Sequence, residues 1–290
     1  MLEYPQQTNL EVKYILKKLS EYWNEDFPDG DITSISTVSK NIVIEAEIQA
    51  VESLIFSGKM IIPHCFGEKC EVEIHVEDGD YIENGEVIGI VKGPALIILS
   101  RERVMLNLIQ RLCGISSLTK EYTKKAAPYE VKILDTRKTT PGNRLFEKYA
   151  VSIGGGYNHR LNLSEGILIK DNHIAAAGSI TNAIQSINNI NLDFPIEVEV
   201  DNIEQIKEAL LLQVDGFLLD NMDINTIKKS VSIIRQNQRG KNIFIEASGG
   251  ITINNITPYL STGINAISIG ALTHQAVSKD IRLEFLNNIF

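Results

Sequence analysis

Between Leu134 and His173 the chain gathers Arg137, Lys138, Arg144, Lys148, His159, Arg160 and Lys170 around the run Gly154-Gly155-Gly156. It does so in a protein of 290 residues with a formal net charge of -9. A guanidinium offers a two-pronged fork to a carboxylate or phosphate, while an ammonium adds a movable point charge. A local positive site inside an acidic chain is the signature of a pocket for a small polyanion, and it speaks against a nucleic-acid surface. Arg137, Lys138 and Arg160 carry this reading; for any one of them alone, surface ion pairing is the plainer account.

Other residues extend the pattern. Lys170 closes the apolar run Gly166 to Ile169, and three roles stay open for it: anion binding, a Schiff base with a carbonyl substrate, or structural pairing. Glu199 and Asp220 stand at the ends of consecutive apolar runs. Two such carboxylates suit a magnesium ion shared with substrate phosphates, or they neutralise the nearby cations. Ser248-Gly249-Gly250 and Gly270 offer backbone amides that a phosphate can approach closely, because glycine has no Cβ. His159 could position a substrate, act as an acid or be structural. His173 and His274 are read as structural, and the five histidines show no metal-binding spacing. Three cysteines without a companion Cys or His cluster are read as reduced thiols.

The elements that must position these residues follow from hydropathy. A hydrophobic fraction of 43% in 290 residues leaves ample material for a large core. No run approaches the length that spans a bilayer, so a soluble, cytoplasmic protein is expected. Leu10, Tyr14, Ile15, Leu19 and Trp23 predict a helix that ends at Asn24 to Asp31, where Pro28 and Gly30 lie. Short apolar or alternating runs from Ile42 to Val91, separated by glycine turns, predict an antiparallel sheet. Ala95 to Leu112 resumes a helical pattern.

From residue 131 the grammar becomes that of parallel βα units. Val131 to Leu134, Gly166 to Ile169, Ile196 to Val200, Phe217 to Leu219, Ile243 to Ile245 and Ala266 to Ile269 are six strands, with helices such as Ile203 to Leu212 and Ile224 to Ile234 between them. Barrel enzymes place reacting residues at the C-terminal ends of their strands and commonly bind phosphate after the last two. Here the charges follow the earlier strands and the glycines the last two, as a phosphorylated anionic substrate requires. An eight-strand barrel would need strands that the sequence does not announce. Ile281 to Phe285 alternates like an edge strand and is expected to return to the N-terminal sheet.

Several longer blocks now carry a resemblance. Asp135-Thr-Arg-Lys-Thr-Thr-Pro-Gly142, Glu147-Lys-Tyr-Ala-Val151, Gly154-Gly-Gly-Tyr-Asn-His-Arg160, Leu168-Ile-Lys-Asp-Asn-His173 and Gly270-Ala-Leu-Thr273 resemble the nicotinate-nucleotide pyrophosphorylase (carboxylating), or quinolinate phosphoribosyltransferase, family. Gly30-Asp-Ile-Thr-Ser34, Asp78-Gly-Asp80 and Glu102-Arg103 with Leu106-Asn107 extend the match over nearly the whole chain. Cys113 stands where a serine is frequent and Glu165 where an aspartate is frequent; neither touches a motif residue. A related family linked to molybdenum transport shares the Thr-Arg-Lys block but lacks the Asn-His-Arg wording.

The resemblance implies an α/β fold: an N-terminal α/β sandwich over residues 1–112, to which the tail 276–290 returns, and an incomplete seven-strand α/β barrel over 113–275. It implies phosphoribosyl transfer from phosphoribosyl pyrophosphate to quinolinate with decarboxylation, dependent on magnesium, in de novo NAD synthesis. The catalytic residues would be Lys138, Lys170, Glu199 and Asp220. Substrate binding would add Arg103, Thr136, Arg137, His159, Arg160, Ser248, Gly249, Gly250, Ser268 and Gly270, and Glu199 and Asp220 would hold the magnesium directly or through the substrate. The assembly would be a homodimer or hexamer in which Arg103 of a neighbouring subunit completes the site. Two other classes compete: an aldolase-like lyase using Lys170, and a non-catalytic phosphosugar-binding regulator. The first would be trapped by borohydride, and the second would have no reason to keep Glu199 and Asp220.

Overall fold

Alternating apolar and polar residues make β1 (Val43–Ala50) a strand with one buried face, since successive side chains point to opposite sides. It follows two helices, α1 (Val12–Asp26) and α2 (Ile32–Thr37), the second capped by Asp31, whose carboxylate accepts the Ser34 amide at 3.1 Å. Next come β2 (Leu54–Ile55), the short α3 (Ile62–Cys65), β3 (Glu71–Ile74), β4 (Tyr81–Ile82) and β5 (Val87–Pro94). β1, β3 and β5 pair antiparallel, as the glycine turns predict, and β2 pairs with β4. The long helix α4 (Ala95–Ala126) and α5 (Arg144–Ile153) complete the helices that accompany this sheet.

α4 runs well beyond the expected Leu112 because its continuation still buries a face: Cys113, Ile115, Ser116, Thr119 and Tyr122 are all buried. Gly114 does not break it. A Cβ at that position would collide with the Val277 carbonyl, so the glycine serves close packing, not a turn.

Six parallel strands follow: β6 (Lys132–Leu134), β7 (Ile167–Ile169), β8 (Ile196–Val200), β9 (Gly216–Asp220), β10 (Phe244–Ser248) and β11 (Ala266–Ser268). Their order is β6-β11-β10-β9-β8-β7, and Tyr157 adds a single parallel bridge beside Leu134 at the β6 edge. The barrel is therefore incomplete: among the described residues six strands and that one bridge stand where the resemblance implies seven strands. The helices α6 (Asp171–Ala177), α7 (Ile180–Asn188), α8 (Ile203–Leu210) and α9 (Ile224–Gln236) lie between the strands, the first two in succession after β7. The last strand, β12 (Ile281–Phe285), pairs antiparallel with β1 at the edge of the first sheet, as its alternation predicts.

This computed structural model describes residues 2–188 and 194–286; residues 287–290 of the expected tail lie outside the described residues. The chain forms two compact units, neither continuous in sequence. One, the sheet unit, takes Gln7–Lys120, Leu145–Gly155 and Gln275–Phe290; the other, the barrel unit, takes Met1–Gln6, Glu121–Arg144 and Gly156–His274. The position 112/113 falls inside α4. Among the described residues no helix is long and apolar enough to cross a membrane.

Candidate active site

In a parallel sheet in register, side chains that follow the strands collect along one edge. Here Ser268 pairs with Leu134, Ser248 with Asp220, and Ile169 with Val198. Asp135, Lys170, Asp220, Ser248 and Ser268 therefore end neighbouring strands on the same side, with Glu199 one residue before the end of β8. Arg137 and Lys138 follow β6 in an exposed loop, stabilised where Thr136 Oγ1 accepts the Lys138 amide at 3.0 Å. The Thr273 hydroxyl donates to the Lys138 carbonyl at 2.6 Å, and a Cβ on Gly270 would strike the Lys138 side chain. The lysine stem from the loop after β6 thus lies against the glycine that follows β11.

Lys170 Nζ lies 2.6 Å from Glu199 Oε2, with the lysine side chain partly exposed and the carboxylate mostly buried. Of the three roles open for Lys170, pairing is the one seen directly. His173 Nδ1 accepts the Lys170 amide at 2.9 Å and so begins α6, a structural role as expected. Asp220 is half-buried and its Oδ2 accepts Asn221 Nδ2 at 2.6 Å. Gly249 and Gly250 both adopt left-handed backbone, φ 94° and 60°. A side chain on Gly249 would also run into Asn221, whereas Gly250 faces open space. These two glycines let the backbone take the left-handed turns of the loop after β10.

Behind this edge, the segment that ends in Arg160 is anchored by Asp135. Its Oδ1 accepts the His159 amide at 2.8 Å and its Oδ2 accepts Asn158 Nδ2 at 2.7 Å, all three residues being buried. His159 faces inward. Its Nδ1 accepts the Arg160 amide at 2.8 Å, so the ring proton sits on Nε2, which faces Glu197 Oε2 at 3.4 Å and Glu246 Oε2 at 3.8 Å. Among the described residues these three bring metal-ligating atoms within 4.8 Å of one another, a set distinct from Glu199 and Asp220. Burial and the Glu197 charge push the Glu246 carboxyl up to about 7, against the pull of His159, Ser268 and Lys170. Arg160 is itself 5% exposed and donates to the Gly166 carbonyl at 3.2 Å; burial lowers its pKa.

Several expected participants serve the scaffold. Arg144 donates to Thr139 Oγ1 at 2.9 Å and to the Leu161 carbonyl at 3.1 Å. Lys148 is fully buried in α5, within the sheet unit. There Glu147 pairs with Arg111 at 3.0 Å and the Tyr149 hydroxyl donates to Asp78. A Cβ on Gly154 would collide with the Ser116 carbonyl, and Gly155 has φ 84°. That glycine run is thus spent on helix packing and a turn. Arg103 is exposed on α4 in the sheet unit. The sequence reading missed Tyr4, Asp135, Asn158, Glu197 and Glu246. Glu197 had a signal, since it shares a strand face with Glu199 two residues on; so had Glu246, a lone charge in an apolar run.

The comparisons agree across both units. Residues 31–113 match the family model for the quinolinate phosphoribosyl transferase N-terminal domain and residues 115–284 that for the C-terminal domain. A probable nicotinate-nucleotide pyrophosphorylase [carboxylating] of Bacillus subtilis is 44% identical over 276 residues, 92% of each chain. The nicotinate-nucleotide pyrophosphorylase [carboxylating] of Mycobacterium leprae is 36% identical, covering 90% of this chain and 93% of its own. The crystal structure of nicotinate-nucleotide pyrophosphorylase from Ehrlichia chaffeensis superposes with a TM-score of 0.89 at 38% identity, covering 96% of this chain and 100% of that one.

Proposed function

Because the chain belongs to the quinolinate phosphoribosyl transferase family, we propose that its strand ends join quinolinate to phosphoribosyl pyrophosphate. The products are nicotinate mononucleotide, pyrophosphate and carbon dioxide, a step of NAD synthesis. The observation that carries the reading is the alignment along one sheet edge: cations after β6 and β7, carboxylates on β8 and β9, and glycines after β10 and β11.

Arg137, Lys138 and Arg160 bind the two quinolinate carboxylates, and the loops at Ser248–Gly250 and Ser268–Gly270 take the ribose 5′-phosphate. The ring nitrogen attacks ribose C1 as the bond to pyrophosphate breaks and the electron pair leaves with the pyrophosphate. Lys138 and Lys170 stabilise that departing charge, and holding both substrates in line removes much of the entropic barrier. The mononucleotide then loses its 2-carboxylate as carbon dioxide, and the ring carbon left behind takes a proton. Glu199 tethers the Lys170 ammonium through the 2.6 Å contact.

Asp220 offers hard oxygen donors on a half-buried strand end, which fits magnesium shared with substrate phosphates; Glu199 would reach the ion only alongside Lys170. Bound there, magnesium would neutralise pyrophosphate charge. The site is completed by Arg103 of a neighbouring subunit in a homodimer or hexamer, a reading supported by its exposure on α4. A cytoplasmic location is supported by three free cysteines. Incubating the purified protein with quinolinate, phosphoribosyl pyrophosphate and magnesium should yield nicotinate mononucleotide; no product under any magnesium concentration would defeat the proposal.

A further inference from the structure

We propose that Tyr4, brought into the barrel unit by the N-terminal segment, is a positioning residue that fixes both anchors of Arg160 and thereby tunes quinolinate recognition. The inference rests on the reading of Arg160 as a quinolinate-binding residue.

The segment is held at every step. Leu2 is 4% exposed and packs in a cluster with Leu134, Phe244 and Ala266. Lys132 Nζ donates to Glu3 Oε1 at 3.3 Å. Gln6 clamps both backbone groups of Asn158: its Nε2 donates to the Asn158 carbonyl at 3.1 Å and its Oε1 accepts the Asn158 amide at 2.7 Å. The chain from Leu2 to Gln6 is thus docked beside the residues that lead into Arg160.

Between those holds, Tyr4 touches each support of the arginine. Its ring stacks on His159 with centroids 4.6 Å apart and planes 25° apart, and His159 Nδ1 is the acceptor for the Arg160 amide. The same ring packs so closely on Gly166 that a Cβ there would overlap Tyr4 Cε1, and the Gly166 carbonyl is the acceptor for the Arg160 guanidinium. The Tyr4 hydroxyl meanwhile donates to Glu197 Oε2 at 3.2 Å, the oxygen that faces His159 Nε2. A buried carboxylate needs such a donor, because an ion held away from water without hydrogen bonds is costly. Remove the ring, and His159 can rotate out of the orientation that accepts the Arg160 amide, while the turn at Gly166 loses its backing. Remove only the hydroxyl, and the stack survives but Glu197 loses a partner. The ribose and phosphate loops follow β10 and β11, whereas both supports of Arg160, His159 and Gly166, lie between β6 and β7.

The test compares Tyr4→Phe and Tyr4→Ala with wild type in the full chain. Quinolinate binding and magnesium-phosphoribosyl pyrophosphate binding are measured separately by calorimetry, and the His159 ring by 15N NMR. Tyr4→Ala should weaken quinolinate about tenfold, a loss of about 1.4 kcal/mol. It should leave the phosphoribosyl substrate as in wild type and change the Nε2–H signature of His159. Tyr4→Phe should lose about threefold, the lower end of one hydrogen bond's net worth, with the His159 signature kept. Wild-type quinolinate affinity in Tyr4→Ala would overturn the inference, and so would equal losses for both substrates accompanied by a fall in Tm. If wild type itself fails to bind quinolinate, the functional reading is at fault, and unchanged His159 signals in Tyr4→Ala still refute the positioning role.

Discussion

Replacing Glu246 by glutamine should stabilise the protein above neutral pH and do little near pH 5. Glu246 lies fully buried on β10, facing His159 and close to the like charge of Glu197. Burial and that charge lift its carboxyl from an ordinary 4.5 to about 7, so the folded protein holds this proton more tightly than the unfolded chain does. The stabilisation that the group provides is complete below the unfolded value and is lost as pH rises through the folded one. At about 1.36 kcal/mol per pH unit, the ionised Glu246 leaves the native state about 3 kcal/mol less stable than a neutral equivalent at pH 8. With no exposed surface at this residue, solvent screening does not reduce the figure. Glutamine has nearly the same shape and no charge. The assay is urea unfolding of wild type and Glu246→Gln at several pH values. The advantage of the variant should grow by about 2–3 kcal/mol between pH 5 and pH 8. Curves that stay parallel across that range would refute the argument.

Other outcomes follow from the site. Mixing inactive Arg103→Ala and inactive Arg137→Ala proteins should restore partial activity through hybrid sites; no recovery while subunits demonstrably exchange would sink the shared site. Asp220→Ala should damage magnesium-dependent binding of phosphoribosyl pyrophosphate while quinolinate binding persists, as read by calorimetry. Nicotinate lacks the 2-carboxylate and would leave a cation facing an empty position, so quinolinate should be preferred about a hundredfold if two charge-assisted contacts are at stake. Equal catalytic efficiency for the two would rule that out. Gly249→Ala should weaken binding of the phosphoribosyl substrate and cost on the order of 1–3 kcal/mol of stability, because a Cβ there meets Asn221 in a left-handed backbone.

Much of this was legible in the sequence because it is local. Short apolar runs closed by a charge or a glycine announced all six barrel strands, and five alternating residues announced β12 and even its partner sheet. What was not legible is decided by packing at a distance. The helical pattern stops at Leu112 in the sequence, whereas the helix continues past Gly114, packed against the Val277 carbonyl, and nothing near Gly154-Gly155-Gly156 in the sequence foretells that Ser116 occupies the space beside Gly154. Tyr4 gave no signal, since one aromatic residue before Pro5 has no periodicity; its importance comes from His159 and Glu197, far along the chain. His159 itself illustrates the limit: residue type left positioning, acid and structural roles open, and only the packed chain shows its two nitrogens turned to Arg160, Glu197 and Glu246.

The pairing of β12 with β1 bears on how the protein is made. On the ribosome, N-terminal domains ordinarily fold as they emerge, but here the edge of β1 has no mate until Phe285 has left the exit tunnel, because Ala46 pairs with that residue. Throughout synthesis of the barrel strands, β1 presents a bare row of amides and carbonyls, the kind of edge that templates unwanted association. The half-buried face of β1 carries Glu45 and Glu47, and Lys92 lies beside Glu45 on the neighbouring strand. Those charges are well placed to keep nascent chains from pairing edge to edge while the last strand is awaited.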